Sequence, residues 1–408
     1  MTRPYDLILY GASGFTGRLV AEHLWRTHGS SGLRWALAGR QLSKLEAVRD
    51  AIGAPASLPL LTADAGHAQA VAGLVRQARC VISTVGPYQR HGTALVSACA
   101  AAGTDYVDLC GEPLWMAQMI RQLQAPAEAS GARIVFSCGF DSIPFDLGVV
   151  FLQHAMAERF GLPAREVRAR VKVLKGTLSG GTAASALATF EQTSRDPALA
   201  AAMADAFALT ADSPGFRGPA QPEDESAAYD DWARAWTGPF VMATINTKNV
   251  HRTHALRGWP WGRDFRYSER LLTGSGPAGE LRARSLARQT RLQNRLLGFG
   301  LTRKLIGRFA LPQPGQGPSA AAREAGRFEV RFTGETTAGQ RLSAVVTGDR
   351  DPGYGSTSKM VSESALCLLQ DVGRSATPGG VWTAGSALGL ALVRRLQAHA
   401  GLTFELAS

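Results

Sequence analysis

The 408-residue chain has few cysteines, few lysines and no long apolar run. Its five cysteines, Cys80, Cys99, Cys110, Cys138 and Cys367, are odd in number and contain no CxxC pair. That excludes a disulfide framework and a structural zinc site, and points to a reducing compartment. No stretch reaches the roughly 18 consecutive apolar residues that a membrane-spanning helix needs. The start, MTRPYDLILYGASG, enters a strand-like run directly, so no secretory signal is expected. There is no G-x-S-x-G, and spacing alone assigns no nucleophile. His251 and His254 form an HxxH on an expected strand, without a carboxylate or cysteine beside it, so no metal is expected. Only six of the 44 basic residues are lysine, which reads as genome composition.

What is present is a globular composition. Apolar residues at 45% and charged residues at 19% argue against disorder. The 45 glycines and 20 prolines form no periodic tract, which excludes a fibrous protein. The length favours two domains. The net charge is +11, and it is local: between Arg252 and Arg308 twelve Arg and one Lys face only Asp264, Glu269 and Glu280, which accounts for +10 of it.

The first 150 residues read as a nucleotide-binding unit. The apolar run Leu7–Tyr10 leads into GASGFTG at Gly11–Gly17, and a helix-spaced stretch follows. In that setting Gly11 permits a tight turn, Gly14 lets the backbone approach a pyrophosphate, and Gly17 lets helix and strand pack. Glycine turns also join strands to helices for structural reasons alone, so the context carries the weight. The second strand, WALA, ends at Gly39-Arg40, with Lys44 just beyond. An NAD site would place an acid there. Arginine suits a phosphate monoester, which favours NADP(H), although a solvated strand-end arginine is the plainer reading. Further apolar strands at 58–61, 80–85, 106–109 and 134–137 alternate with helices, the pattern of a doubly wound parallel sheet. Ligands bind beyond the carboxyl ends of such strands, and Asp64, Val85, Gly86 and Pro87 stand at those ends.

After a helix expected at 145–160 the character changes. Strand patterns at 167–173, 240–247, 250–253, 327–332 and 341–347, with helices at 182–192, 358–369 and 386–399, suggest a mixed α+β substrate domain. Residues 212–231 read as a surface loop. Within the basic segment 285–311, Leu292, Leu296 and Phe299, and then Leu301, Leu305 and Phe309, fall at helical spacing. Arg288, Arg291, Arg295, Arg303, Lys304 and Arg308 accompany them. Such stretches either dock on an anionic membrane surface or an acidic protein, or bury their apolar stripe in the core. No nucleic-acid motif accompanies the charge, so nucleic acid is not an expected partner.

The stretches YGASGFTGRLVAEHL, WALAGR, VISTVGPYQRHG, YVDLCGE, CGFDSIPFDLG, SGGTAAS, LPQPGQGPS and DPGYGSTSKMVSESALCL run in order from Tyr10 to Leu368. Through them the sequence resembles the saccharopine dehydrogenase-like oxidoreductases, and within these the bacterial trans-acting enoyl reductases. The resemblance implies a Rossmann-type domain over 1–148 and a mixed substrate domain over 149–408, with helix 386–399 a candidate to pack back on the first. It implies NADP(H) held by Gly11, Ser13, Gly14, Phe15, Thr16, Gly17 and Arg40. It also implies a cytoplasmic enzyme that reduces an acyl thioester, on an acyl carrier protein or polyketide synthase, in lipid assembly. Segment 285–311 is then a candidate attachment to the inner membrane face. Tyr88, Glu112 and Asp141 follow strand ends near the expected nicotinamide and are the candidate proton donors, each with a structural alternative: packing for Tyr88, helix capping for the two acids. A reductase of amino-acid-derived imines and a non-catalytic NADP-binding protein remain alternatives.

Overall fold

Strand and helix alternate through most of the first 160 residues because apolar runs too short for helices are separated by amphipathic stretches. The computed structural model describes residues 3–176, 180–210, 216, 218–300, 302–303 and 317–407, the side chain of Thr182 excepted. Its first part runs β1 (Tyr5–Tyr10), α1 (Phe15–His28), β2 (Trp35–Gly39), α2 (Leu42–Ala51), β3 (Leu60–Thr62), α3 (Ala68–Val75), β4 (Ala78–Ser83), α4 (Tyr88–His91), α5 (Thr93–Ala102), β5 (Asp105–Asp108), α6 (Pro113–Ser130), β6 (Arg133–Val135) and α7 (Ile143–Phe160). The central strands β1 and β2 are buried almost throughout, as a sheet covered on both faces requires.

The second part runs β7 (Glu166–Lys175), α8 (Gly180–Thr193), α9 (Pro197–Ala204), β8 (Ala228–Asp230), β9 (Ala235–Pro239), α10 (Ala243–Leu256), β10 (Arg266–Gly274), α11 (Gly276–Gly298), α12 (Ala320–Glu324), β11 (Arg327–Glu335) and β12 (Arg341–Gly348). A π-helical turn (Pro352–Ser356) then leads into α13 (Thr357–Gln370), β13 (Gly380–Trp382), α14 (Ala384–Ala387), α15 (Gly389–His399) and β14 (Leu402–Leu406). The first sheet has the order β13-β6-β5-β4-β1-β2-β3, with every pairing parallel. The second has the order β14-β12-β11-β7-β10-β9-β8 and is antiparallel except for β7 with β10.

Four expectations need correction. Residues 240–247 and 250–253 are not strands: they belong largely to α10, whose Thr, Ile and Val residues imitate a strand pattern in a buried helix. The HxxH therefore sits on a helix, where the His254 ring stacks on Trp261 at 4.7 Å and His251 packs 4.4 Å from Phe207. The loop 212–231 contains edge strand β8. The helix expected at 386–399 is interrupted at Leu388. Finally, residues beyond 148 do not all serve the second sheet, because β13 pairs with β6 and extends the first. Leu301, Lys304, Leu305, Arg308, Phe309 and most of LPQPGQGPS lie outside the described residues.

An ionic cluster fastens this C-terminal return. Glu363 on α13 accepts hydrogen bonds on one carboxylate oxygen from Nε2 of His23 and of His28 on α1, each at 2.7 Å. Its other oxygen accepts from Arg395 on α15, also at 2.7 Å. Burial alone would raise the Glu363 pKa, but these donors outweigh it and hold it at about 2. Because the folded value lies below the ordinary 4.5, the stabilisation is complete above that pH and is lost as pH falls toward 2. A displacement of this size corresponds to roughly 3 kcal/mol. Denaturant titrations of the native protein and Glu363→Gln between pH 7 and pH 3 should converge on the acid side; curves that stay parallel would refute the linkage.

Candidate functional site

The strand order places the topological switch between β1 and β4, and the glycine turn lies there. Gly11 has φ +89°, and a Cβ on it would fall 2.6 Å from Val85 Cγ2 and 2.7 Å from Thr84 Oγ1. Gly17 lies inside α1, and a Cβ there would fall 2.1 Å from the Gly11 carbonyl oxygen. These contacts bring the turn, the start of α1 and the end of β4 together. Gly14 caps α1 without any side-chain hydrogen bond, and the first turn carries no acid. Backbone N–H groups and the positive end of the helix are thus free of internal anions, which suits a pyrophosphate. Phe15 is held edge-on against Tyr354 at 4.7 Å, so the DPGYG stretch packs on the start of α1.

At the end of β2, Arg40 is exposed, and so are Lys44 and Asp64. Arg40 and Asp64 both lie close enough to Tyr10 for their charges to act on its hydroxyl, whose pKa burial raises. Asp64 accepts from the Gly66 N–H at 2.9 Å. Among the described residues no carboxylate forms an ion pair with Arg40.

From this turn a cavity of about 970 Å³ extends between the two sheets. Its near wall carries Thr16, Thr84, Gly86, Tyr88, Leu109, Ser137 and Asp141, the ends of the parallel strands. Its far wall comes from α8, α9, residues 218–225, the start of α10 and Tyr267. Most of that wall is apolar, with Phe190, Met203, Phe207, Phe240, Met242 and Ile245 among its members.

All three expected proton donors border this region. The Tyr88 hydroxyl donates to the Ser83 carbonyl at 3.0 Å and accepts from the Leu109 N–H at 3.1 Å. Its pKa is pushed up by burial. Glu112 accepts from the N–H groups of Tyr88 and Gln89 at 2.8 and 2.9 Å, capping α4, and from the Ser185 hydroxyl on α8 at 2.6 Å. Both side chains are thus engaged in holding the strand ends in place. Asp141 is half-buried and lines the cavity.

Several participants carry no recognisable signal in the sequence. Asp108, at the end of β5, accepts from the Cys110 and Ser137 N–H groups, each at 3.0 Å, and burial pushes its pKa up to about 7. It thereby holds Ser137, a non-glycine residue at φ 62°, in a strained position of the kind that clusters at functional sites. Glu269 is fully buried and pushed up to about 8 by burial; it accepts from Asn246 at 2.6 Å and from the Tyr267 hydroxyl at 2.8 Å. Lys248 on α10 lines the cavity while buried, its ammonium donating to the carbonyls of Met203 (2.8 Å) and Thr244 (3.0 Å). Burial lowers its pKa to about 8. It is the only cationic side chain among the described lining residues. Its one discernible mark in the sequence is rarity, a lysine in a chain that uses arginine almost everywhere.

A doubly wound sheet with a glycine turn opening onto a deep cavity under a second sheet defines a dinucleotide-dependent oxidoreductase. Residues 7–135 match the family described as the saccharopine dehydrogenase NADP binding domain. A Mycobacterium tuberculosis protein that bears trans-acting enoyl reductase as a provisional name is 40% identical over 421 residues, covering 99% of this chain and 97% of its own. The trans-acting enoyl reductase of Mycobacterium bovis is 37% identical over 417 residues, covering 97% and 96%. Saccharopine dehydrogenase (L-Glu forming) of Saccharomyces cerevisiae shares the fold, with a TM-score of 0.54 at 12% identity over 99% of this chain and 100% of that one. The chain belongs to the saccharopine dehydrogenase-like oxidoreductases, in the group of the trans-acting enoyl reductases, and is an NADP-dependent oxidoreductase.

Proposed function

We propose that the protein is a trans-acting enoyl reductase, which saturates the α,β double bond of an acyl thioester presented by a separate synthase. The observation that carries this reading is the cavity wall. It is largely aliphatic and aromatic, and Lys248 is its one described cation. An imine derived from an amino acid and bearing several carboxylates needs several guanidinium or ammonium groups around it. The described lining instead offers the acids Asp141, Asp205, Glu223, Asp224 and Glu225, which disfavours that substrate.

Gly11, Ser13, Gly14, Phe15, Thr16 and Gly17 would hold the cofactor's pyrophosphate end, Arg40 and Lys44 its 2′-phosphate, and Asp64, Val85, Gly86 and Pro87 the flanking strand ends. NADPH supplies the hydride when bound. Lys248, which lines the cavity, would meet the negative charge that develops on the thioester oxygen as the β-carbon is reduced. Lys248 and Asp141 are the candidate donors of the proton to the α-carbon, whereas Tyr88 and Glu112 act as positioning residues. NADPH oxidation measured against matched panels of enoyl thioesters and imines tests the assignment. Turnover confined to the thioesters is expected; turnover of imines, or NADPH binding without turnover of either panel, would overturn it.

Arg40 gives a second test. Arg40→Asp should weaken NADPH binding by about tenfold or more and leave NADH binding nearly unchanged, because a charge-assisted contact to the phosphate is replaced by a repulsion. Equal losses for both nucleotides in fluorescence titrations would remove Arg40 from the phosphate site.

A further inference from the structure

Helix α11 turns small residues, not its leucine stripe, toward the sheet. Its packed face carries Gly279, Ala283, Ala287 and Leu297, and small residues allow it to lie close on β9 and β10. Leu281, Leu292, Leu296 and Phe299 are exposed, Leu281 at 70% and Phe299 at 59%. Arg284, Arg288, Arg291 and Arg295 stand at i, i+4, i+7 and i+11 and form one exposed stripe beside them. Glu280, paired with Arg284, is the only acid on the helix. A cationic stripe beside an apolar stripe that no described residue covers is costly on an isolated soluble surface and marks an interaction site.

The same helix walls the substrate cavity. Thr290 and Asn294 line it, and Asn294 is itself exposed, so the cavity meets solvent beside Arg291 and Arg295.

We infer that the solvent face of α11 docks an acidic acyl-carrier domain, which feeds its thioester-bearing arm into the cavity past Asn294. The inference rests on the enoyl-thioester reading above. A carrier must dock within an arm's length of the cavity mouth, and the arginine stripe lies there. An anionic bilayer has no such positional requirement. It also needs a broad apolar face to submerge, whereas α11 is packed on the second sheet along its opposite side and shows solvent only the narrow stripe of Leu281, Leu292, Leu296 and Phe299. Among the described residues no helix is long and apolar enough to cross a membrane.

The test compares one enoyl chain on two supports: a polyketide-synthase acyl carrier domain and neutral N-acetylcysteamine. Combining Arg288→Glu, Arg291→Glu and Arg295→Glu should raise KM for the carrier-borne chain about tenfold or more and flatten its salt dependence. KM and kcat for the N-acetylcysteamine thioester should stay unchanged. In parallel, fluorescence anisotropy of a labelled carrier bearing a saturated chain reads docking without turnover, and the triple variant should lose it. Unchanged carrier KM and anisotropy, or equal losses on both supports, overturn the docking site. Loss of binding to phosphatidylglycerol vesicles with carrier kinetics intact assigns the face to a membrane instead. If the native protein binds the carrier but reduces neither substrate, the enoyl reading fails while the docking site stands.

Discussion

Lys248→Met is expected to lower kcat/KM on an enoyl thioester by about 100-fold, the order found when a preorganised donor to a developing oxyanion is removed. NADPH affinity should stay within about twofold, because the side chain belongs to the far wall of the cavity and not to the glycine turn. The ammonium is buried and already donates to two main-chain carbonyls, so its position is fixed before substrate arrives. Its pKa near 8 carries a pH signature. The charged form exists below that value, so activity should decline as pH rises through about 8. Lys248→Arg should preserve the charge and move that decline to higher pH. A structural role in capping α9 would lower thermal stability in both variants and leave the alkaline limb in place. Native-like kcat in Lys248→Met would end the catalytic assignment.

Gly17→Ala should raise the Kd for NADPH by at least 100-fold, equivalent to roughly 3 kcal/mol. The added methyl would lie 2.1 Å from the Gly11 carbonyl oxygen and 2.9 Å from the Ala12 Cα, so either the turn or α1 must move. Main-chain atoms cannot swing aside as a flexible side chain can, and the displaced turn is the one proposed to meet the pyrophosphate. Gly73→Ala provides the contrast. It too is helical, but nothing lies within 4 Å of the place its methyl would take. There the same change should stabilise by about 0.5–1 kcal/mol and leave NADPH binding alone. Paired thermal melts and NADPH fluorescence titrations separate the two. Binding by Gly17→Ala at native affinity would show that the turn does not approach the cofactor.

The parallel unit is legible in the sequence because its signals are local. A strand such as LILY, a glycine turn and a helix follow one another within twenty-odd residues, and each strand end can be read directly. The far wall is not, for two physical reasons. Helix α10 buries Asn246, Lys248, Asn249, His251, Arg252 and His254, so it has no apolar stripe to reveal its period. Some of its polar groups find partners far away in sequence, as when Arg252 donates to the carbonyls of Leu209 and Val381. One of the partners of Glu112, Ser185, lies 73 positions away, and no spacing rule reaches that far. Strand β13 escapes a pattern reading because three residues between turns carry too little periodicity. The arginine stripe on α11 is evident as charge, but the neighbouring leucines are open to opposite readings that only packing on β9 and β10 decides.

The pairing of β13 with β6 has a consequence for folding. The edge of the first sheet, and the surface of α1 that meets Glu363, are completed by residues 357–399, far downstream of the strands they join. The nucleotide-binding half is therefore discontinuous in sequence, and a fragment ending near residue 148 would expose an open strand edge and an uncovered helix face.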